Sequence, residues 1–285
     1  MTVILRTVAE VRAWRRALPA GKSVGFVPTM GALHAGHISL MTLARRRAGV
    51  TIASIFVNPL QFGPNEDLAK YPRPIEKDLA LLEEAGVDAV FLPTVGELYL
   101  PGASTFVSEE TVSGPLCGAM RPGHFRGVTT VVLKLLNIVQ PDLAVFGQKD
   151  AQQCAVIERM VRDLSVPVEI LRGPIVREAD GLALSSRNIY LGPEDRAAAP
   201  LIFSSLEAAR RAFESGEHDA ARLAAIGRTV LAGSPRIALQ YWDVRDPDSL
   251  AAIESVGESG ALLAVAAHLR STRLIDNLLL PPRAG

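Results

Sequence analysis

Two histidines separated by two small residues are the part of this sequence best suited to chemistry on a phosphate. His34-Ala35-Gly36-His37 lies where an apolar run gives way to a helical pattern. A helix start offers free N–H groups and the positive end of the helix dipole, and Gly36 lets a ligand approach the backbone closely. The imidazoles can donate to phosphate oxygens as negative charge builds. The alternatives are a structural pair, or half of a metal site for which His124 is the only other candidate nearby.

A second polar group follows the apolar run Leu143–Phe146. Lys149 and Gln153 are four residues apart, which places them on one face of a predicted helix. At the helix start, Lys149 can meet a phosphate as a point charge. Asp150 either caps the helix or reaches a ribose hydroxyl, and the sequence leaves both readings open.

Two further polar loops follow apolar runs. Ser185-Ser186-Arg187 combines hydroxyls with a guanidinium, a set that binds phosphate well and could close over a nucleotide. Asn58 and Gln61 are neutral amides suited to orienting a hydroxyl or a carboxylate. Taken alone, the first loop is typical of a domain linker and the second of a turn.

The elements that must position these residues alternate between strand and helix in the first part of the chain. Strands regularly separated by helices predict right-handed crossovers and a parallel sheet, and ligands bind beyond the carboxyl ends of such strands. We therefore predict an α/β doubly wound, Rossmann-like domain over residues 1–176. The predicted strands are Lys22–Thr29, Val50–Val57, Val87–Leu92, Leu143–Phe146 and Val168–Leu171, and the predicted helices are Ile38–Ala48, Ile75–Ala85, Val128–Val139 and Asp150–Leu164.

The pattern changes after Val176. Helical stretches at Pro193–Glu214 and Asp219–Leu231 precede three strand-like runs at 237–244, 262–267 and 273–276. Helices first and strands later predict a smaller α+β domain over residues 177–285.

Composition excludes several classes of protein. Lys+Arg and Asp+Glu both number 30, which argues against a nucleic-acid partner. The two cysteines provide no disulfide framework and no Cys-x-x-Cys pair. Neither a signal peptide nor an apolar run of ~18 residues is evident, so we expect a cytoplasmic protein that does not contact a membrane. The chain also lacks the Rossmann dinucleotide turn, the P-loop and the nucleophile elbow.

At this point several blocks resemble a known family. The His34–His37 block resembles the HIGH motif of the nucleotidyltransferase superfamily, and Leu184–Arg187 takes the place of its KMSKS-like loop. Seven blocks, most of them longer, resemble the pantothenate synthetase (pantoate–β-alanine ligase) family, in order and at the family's spacing. They are PTMGALHAGH, FVNPLQF, YPR at Tyr71–Arg73, RPGHFRGV, FGQKDAQQ, DGLALSSRNIYL and RLIDN at Arg273–Asn277. Ala151 departs from the family, where an aromatic residue is expected.

The resemblance implies an ATP-dependent ligase. Pantoate would attack the α-phosphate of ATP to give pantoyl adenylate and pyrophosphate, and β-alanine would then displace AMP to give pantothenate. Mg²⁺ would accompany ATP and neutralise the β- and γ-phosphates; no protein ligand to it is assigned. A homodimer is also implied.

The resemblance also assigns residues. His34, His37 and Lys149 would be catalytic. Gln61 and Gln153 would hold pantoate, and Gln61 with Asn58 would place β-alanine. ATP would contact Met30, Gly31, Ala32, Leu33, His34, Ala35, Gly36, His37, Gly147, Gln148, Lys149, Asp150, Val176 through its backbone, Leu184, Ser185, Ser186 and Arg187.

Three alternative functions compete with this interpretation. A nucleotidyltransferase acting on a phosphorylated acceptor would need cations where Asn58 and Gln61 stand. A nucleotide sensor would bind ATP without pantoate-dependent pyrophosphate exchange, and a metal-dependent hydrolase would contain metal when purified.

Overall fold

A six-stranded parallel sheet forms the centre of the first domain. The computed structural model describes residues 2–64 and 66–283. The strand order is β1-β4-β3-β2-β5-β6, and every neighbouring pair is parallel. This confirms the predicted doubly wound sheet. The strands are β1 (Val3–Leu5), β2 (Val24–Thr29), β3 (Val50–Ile55), β4 (Ala89–Phe91), β5 (Leu143–Gly147) and β6 (Glu169–Gly173).

The strand order places a crevice at the middle of this sheet. β2 pairs with β3 on one side and with β5 on the other, so the chain leaves β2 in one direction and later returns on its opposite side. At such a switch point the loops after neighbouring strands diverge and leave room for a ligand. β2 and β3 are buried on both faces, which explains their continuous apolar runs.

Helices flank the sheet. The longest is α6, with 16 residues, and its apolar residues at helical spacing are buried against the strands, as the pattern predicted. The helices are α1 (Val8–Ala17), α2 (Ala35–Arg47), α3 (Ile75–Glu84), α4 (Val95–Leu98), α5 (Cys117–Met120), α6 (His124–Val139) and α7 (Ala151–Asp163). Among the described residues, no helix is both long enough and apolar enough to cross a bilayer.

Helix boundaries differ from the prediction at two points that matter for the site. α2 begins at Ala35, three residues before the predicted start, because His34 serves as its N-cap. Lys149 does not lie in the helix with Gln153 as predicted; it lies in a 3₁₀ turn, Gln148–Asp150, that precedes α7. In both cases the polar residue, His34 or Lys149, lies at or just before the N-terminus of the helix and not within it.

The second domain contains a three-stranded antiparallel sheet covered by helices, which confirms the predicted α+β arrangement. Pro200 divides the first predicted helix in two because proline lacks an N–H and clashes with the preceding turn. Trp242 is the largest fully buried side chain, and its Nε1 donates to Ser205 Oγ at 2.9 Å. The boundary at 176/177 stays a prediction. The elements are α8 (Pro193–Ala198), α9 (Leu201–Glu214), α10 (Ala220–Ala232), β7 (Ile237–Arg245), β8 (Ala261–Leu269) and β9 (Thr272–Leu280).

Candidate active site

Two adjoining cavities open at the crevice beyond β2 and β5. The smaller, of about 210 Å³, is lined by both histidines of the His34–His37 block, by Gln61 and by residues of α6. The larger, of about 720 Å³, lies between the parallel sheet and the antiparallel sheet. They share five polar residues, so they form one continuous site: Lys149, Asp150, Gln153, Ser185 and Arg187. Because the imidazoles line the smaller cavity, we place the chemistry there.

The two imidazoles are packed against each other at the start of α2. Their ring centroids are 4.2 Å apart. His34 Nδ1 accepts a hydrogen bond from the Gly36 N–H at 3.2 Å, and His37 Nδ1 accepts one from the His34 N–H at 3.3 Å. A Cβ on Gly36 would lie 2.9 Å from His34 Cε1, so a side chain there would displace this ring. Since both Nδ1 atoms accept, both neutral rings carry their proton on Nε2.

The environment keeps these rings uncharged. Burial, followed by the charge of Lys149, lowers the pKa of His34 to about 4. Burial, followed by the neighbouring His34, lowers the pKa of His37 to about 3. At neutral pH each ring is therefore a neutral donor through Nε2, able to stabilise anionic charge without transferring its proton.

A buried carboxylate holds the loop that precedes the histidines. Asp78 of α3 accepts hydrogen bonds from the Ala32 and Leu33 N–H groups, each at 2.8 Å. Ala32 has a φ of +51°, a conformation unfavourable for a residue with a Cβ, so these bonds offset local strain. Asp78 is buried, and burial raises its pKa above the usual range while the two N–H donors oppose that shift. Asp78 was not among the residues predicted for the site, because it lies in the middle of the chain region predicted as a helix and not at a strand end.

Asn58 is fully buried beside Gln61. Its amide nitrogen donates to Gln61 Oε1 at 3.1 Å and to the Gly127 carbonyl at 3.0 Å, and its Oδ1 accepts from the Tyr99 hydroxyl at 2.9 Å. Gly127 permits this packing, because a Cβ there would lie 2.2 Å from the Leu60 carbonyl. Asn58 therefore orients the Gln61 side chain without lining the cavity itself.

The Gln61 backbone is also held. Its carbonyl oxygen accepts from His124 Nδ1 at 2.8 Å and from Arg121 Nη2 at 3.1 Å. Arg121 is in turn paired with Glu66 at 2.6 Å. Burial, with the positive charge of Arg121, lowers the pKa of His124 to about 4, so this ring is neutral. His124 thus belongs to a clamp on Gln61.

The polar loop after β6 reaches the other side of the site. Leu184 N–H donates to the Val176 carbonyl at 2.9 Å, which closes the base of this loop. Beyond it, Ser186 Oγ lies 3.4 Å from the Tyr71 hydroxyl, and the Tyr190 hydroxyl donates to the Lys70 carbonyl at 2.9 Å. The loop is therefore docked across the cavity mouth against the segment after β3.

The chain is similar to proteins of known activity along almost its whole length. A family profile described as pantoate-beta-alanine ligase matches residues 3–279. The pantothenate synthetase of Chloroflexus aurantiacus is 54% identical over 277 residues, covering 97% of this chain and 98% of that protein. The chain belongs to the pantoate–β-alanine ligase family. It is accordingly an enzyme, a ligase, which decides against the three alternatives.

Solved structures show the same fold over the whole length. A pantothenate synthetase from Thermus thermophilus is 48% identical with a TM-score of 0.93, covering 99% of this chain and 100% of that one. A pantoate-beta-alanine ligase from Francisella tularensis, solved in complex with β-γ ATP and β-alanine, is 33% identical with a TM-score of 0.80, covering 98% of each chain. The two-domain architecture is thus the architecture of solved members of the pantoate–β-alanine ligase family.

Most residues predicted for this ligase site line the two cavities. Those that do are Met30, His34, Gly36, His37, Gln61, Gly147, Lys149, Asp150, Gln153, Val176, Leu184, Ser185, Ser186 and Arg187. Within the described part of the chain, a second set shapes the surrounding loops without lining a cavity: Gly31, Ala32, Leu33, Ala35, Gln148 and Asn58. The role of Asn58 in placing β-alanine stays a prediction; its amide is buried and its polar atoms form hydrogen bonds with protein groups.

The structure also describes the environment of Asp150 and of the two cysteines. Asp150 occupies the N-cap position of α7, but its side chain makes no capping hydrogen bond, so the predicted capping role is absent. Both cysteines are buried and unpaired. In residues 2–64 and 66–283, no cluster of three His, Cys, Asp or Glu side chains is arranged to hold a metal ion.

Proposed function

We propose that this ligase activates pantoate with ATP as pantoyl adenylate and then joins it to β-alanine, releasing pyrophosphate and AMP. The observation that carries this proposal is the neutral imidazole pair beside Lys149, in a cavity that also contains two glutamine amides and an apolar wall. Such a site supplies donors and a cation for phosphate, and neutral groups for a hydroxy acid. It contains the parts needed to bring a carboxylate to a phosphorus atom.

ATP would lie along the helix entrance that contains His34, His37 and Lys149. The Nε2–H groups and the ammonium then meet the phosphates, and Asp150, freed of a capping role, can reach the ribose. A pantoate oxygen forms a bond to the α-phosphorus while the bond to the β-phosphate oxygen breaks. Negative charge grows on both sides of the phosphorus, where fixed donors stabilise it most.

Pantoate would occupy the inner end of the smaller cavity. Gln61 and Gln153 present amides to its hydroxyl and carboxylate groups, and α6 presents an apolar wall to its methyl groups. The wall consists of Val128, Val131, Val132 and Leu135. Because the clamps on Gln61 fix both its backbone and its side chain, pantoate would be held in one orientation, and positioning of this kind accounts for much of the rate.

β-Alanine would approach through the larger cavity. Its amine attacks the adenylate carbonyl, a C–N bond forms, and the C–O bond to AMP breaks with loss of a proton from the amine. Gln61 would help to place the amine directly, whereas Asn58 would act only through Gln61 because its amide is buried. A neutral amide at this position suits an acceptor that carries no phosphate.

Mg²⁺ would enter with ATP as the substrate MgATP. A magnesium ion that keeps most of its waters and phosphate ligands needs few protein oxygens, so we assign it no protein ligand. The ion supplies neutralisation of the β- and γ-phosphates. Ser185, Ser186 and Arg187 would close over the same phosphates from the second domain's side.

Mass spectrometry of the reaction tests the proposal. Purified protein is incubated with ATP, Mg²⁺ and pantoate, with and without β-alanine. We expect the mixed anhydride of pantoate and AMP without β-alanine, and pantothenate with AMP when β-alanine is present. Formation of ADP, or no reaction that depends on pantoate, would reject it.

We also propose a homodimer in the cytoplasm. The family resemblance supports the dimer, and the exposed side chains of Leu100 and Phe106 offer apolar surface for it. Light scattering at working concentration is expected to give twice the chain mass. A monomer would reject the dimer.

A further inference from the structure

Two adjacent polar residues are buried on β9, outside the groups assigned to catalysis above. Asp276 is 4% exposed and Asn277 is 3% exposed. Buried polar side chains need partners, because an unsatisfied group costs free energy. Both residues satisfy this requirement with groups of the two segments that carry Lys149 and Ser185–Arg187, the two walls of the proposed nucleotide site.

Asn277 holds the wall that contains Lys149. Its amide nitrogen donates to the carbonyl oxygens of Gln148 and Lys149, each at 2.9 Å. Its Oδ1 accepts from Gln148 Nε2 at 3.2 Å. One side chain of the second domain therefore fixes two consecutive peptide units of the 3₁₀ turn. It thereby fixes the position of the Lys149 Cα, from which the side chain extends.

Asp276 holds the opposite wall. Its two carboxylate oxygens accept from Arg177 Nη1 at 2.6 Å and from Nη2 at 3.0 Å. Arg177 also donates to the Gly181 carbonyl at 3.0 Å and stacks on Phe203 at 3.8 Å. It begins the loop that leads to Ser185–Arg187, so the carboxylate anchors the base of that loop.

We infer that Asp276 and Asn277 are positioning residues that fix the separation of the two nucleotide walls. Neighbouring Cα atoms are ~3.8 Å apart in a trans peptide, so one rigid unit of β9 joins both contacts. A further hydrogen bond at 2.8 Å, from the Asn277 N–H to Asp276 Oδ1, stiffens that unit. This inference rests on the proposed function, because it concerns the placement of ATP phosphates between those walls.

The experiment compares Asn277→Ala and Asn277→Asp with the wild-type enzyme. Asn277→Asp keeps the side chain's shape but removes the donor to the two carbonyls, which guards against loss of fold by cavity formation. We expect kcat/KM for ATP to fall by about tenfold to a hundredfold in both, since small misplacement of catalytic groups costs rates of that order. KM for pantoate should change by less than about threefold, because Asn277 contacts Gln148 and Lys149 but none of the proposed pantoate groups, Gln61, Gln153 and the α6 wall.

Ser205→Ala is the matched control. It removes a fully buried hydrogen bond to Trp242 in the same domain, and that bond joins neither of the two walls. The control should lose thermal stability to a similar extent yet keep the wild-type kcat/KM for ATP. This comparison separates positioning from a general loss of stability.

Each outcome decides the inference. Folded Asn277 variants with wild-type kcat/KM for ATP would overturn it and leave the proposed function intact. Equal losses for ATP and pantoate, or an equal loss in Ser205→Ala, would show a general structural role and also overturn it. A wild-type protein that does not consume ATP with pantoate would overturn both proposals together.

Discussion

Replacing His37 with asparagine removes one hydrogen-bond donor while keeping an acceptor for the start of α2. Asparagine Oδ1 can take the place of Nδ1 and accept the His34 N–H, which lies 3.3 Å from that nitrogen. The Nε2–H that faces the cavity is lost. Removal of a single donor to developing anionic charge costs about 2.7–4 kcal/mol, so kcat should fall by about 10²–10³-fold.

Two companion variants separate the roles of the ring nitrogens. His37→Ala loses both nitrogens, so in addition to the rate it should lose about 0.5–2 kcal/mol of the free energy of unfolding through the weakened helix cap. His37→Gln extends an amide N–H toward the Nε2 position and should recover part of kcat. Thr42→Ala, on the exposed face of the same helix, is the control and should behave as wild type.

Steady-state kinetics at saturating MgATP, with stability measured in parallel by urea unfolding, would decide the matter. The expected order of kcat is wild type, then His37→Gln, with His37→Asn and His37→Ala lowest. Near-normal turnover of His37→Asn would refute the assigned role of Nε2.

Other perturbations follow from the same geometry. Lys149→Ala should lower kcat/KM for ATP by at least about tenfold with an unchanged KM for pantoate; an unchanged value for ATP would count against the phosphate contact. Asp78→Ala leaves two loop N–H groups without their acceptor, at about 1–3 kcal/mol of unfolding free energy each, and should lower kcat as well; normal stability in urea would contradict this. The pKa values of His34 and His37 are lowered to about 4 and about 3 in the folded protein, so the unfolded chain binds more protons between these values and about 6.5. Their contribution to stability is therefore complete above about pH 6.5 and is lost as pH falls to about 4 for His34 and to about 3 for His37, at up to about 1.36 kcal/mol per proton per pH unit; a His37→Asn protein with the same pH slope as wild type would contradict it.

The sheet could be predicted from the sequence because burial on both faces leaves a continuous apolar run. Val50–Ile55 is such a run. It contains only two polar residues, Thr51 and Ser54, and both are small and buried. β1 and α1 were not predicted. β1 has three residues, and α1 carries arginines between its apolar positions with only Val11 fully buried, so neither has a strong periodic signal.

The site could be predicted in its parts but not in its contacts. Residues that end parallel strands are brought to one edge by topology alone, which is why His37 and Lys149 could be placed together. Asp78 could not be found in this way, since it reaches the loop from a helix more than forty residues away. The burial of Asn58 could not be predicted either, because it depends on packing against Gly127, which lies 69 residues further along the chain.

Transfer of oxygen-18 tests most directly whether the pantoate carboxylate attacks the α-phosphorus of ATP. Pantoate labelled with oxygen-18 in both carboxylate oxygens is incubated with the enzyme, MgATP and β-alanine. The masses of the products are then measured by mass spectrometry. We predict one labelled oxygen in AMP and one in the pantothenate amide, with none in pyrophosphate. Label in inorganic phosphate, or unlabelled AMP, would contradict it.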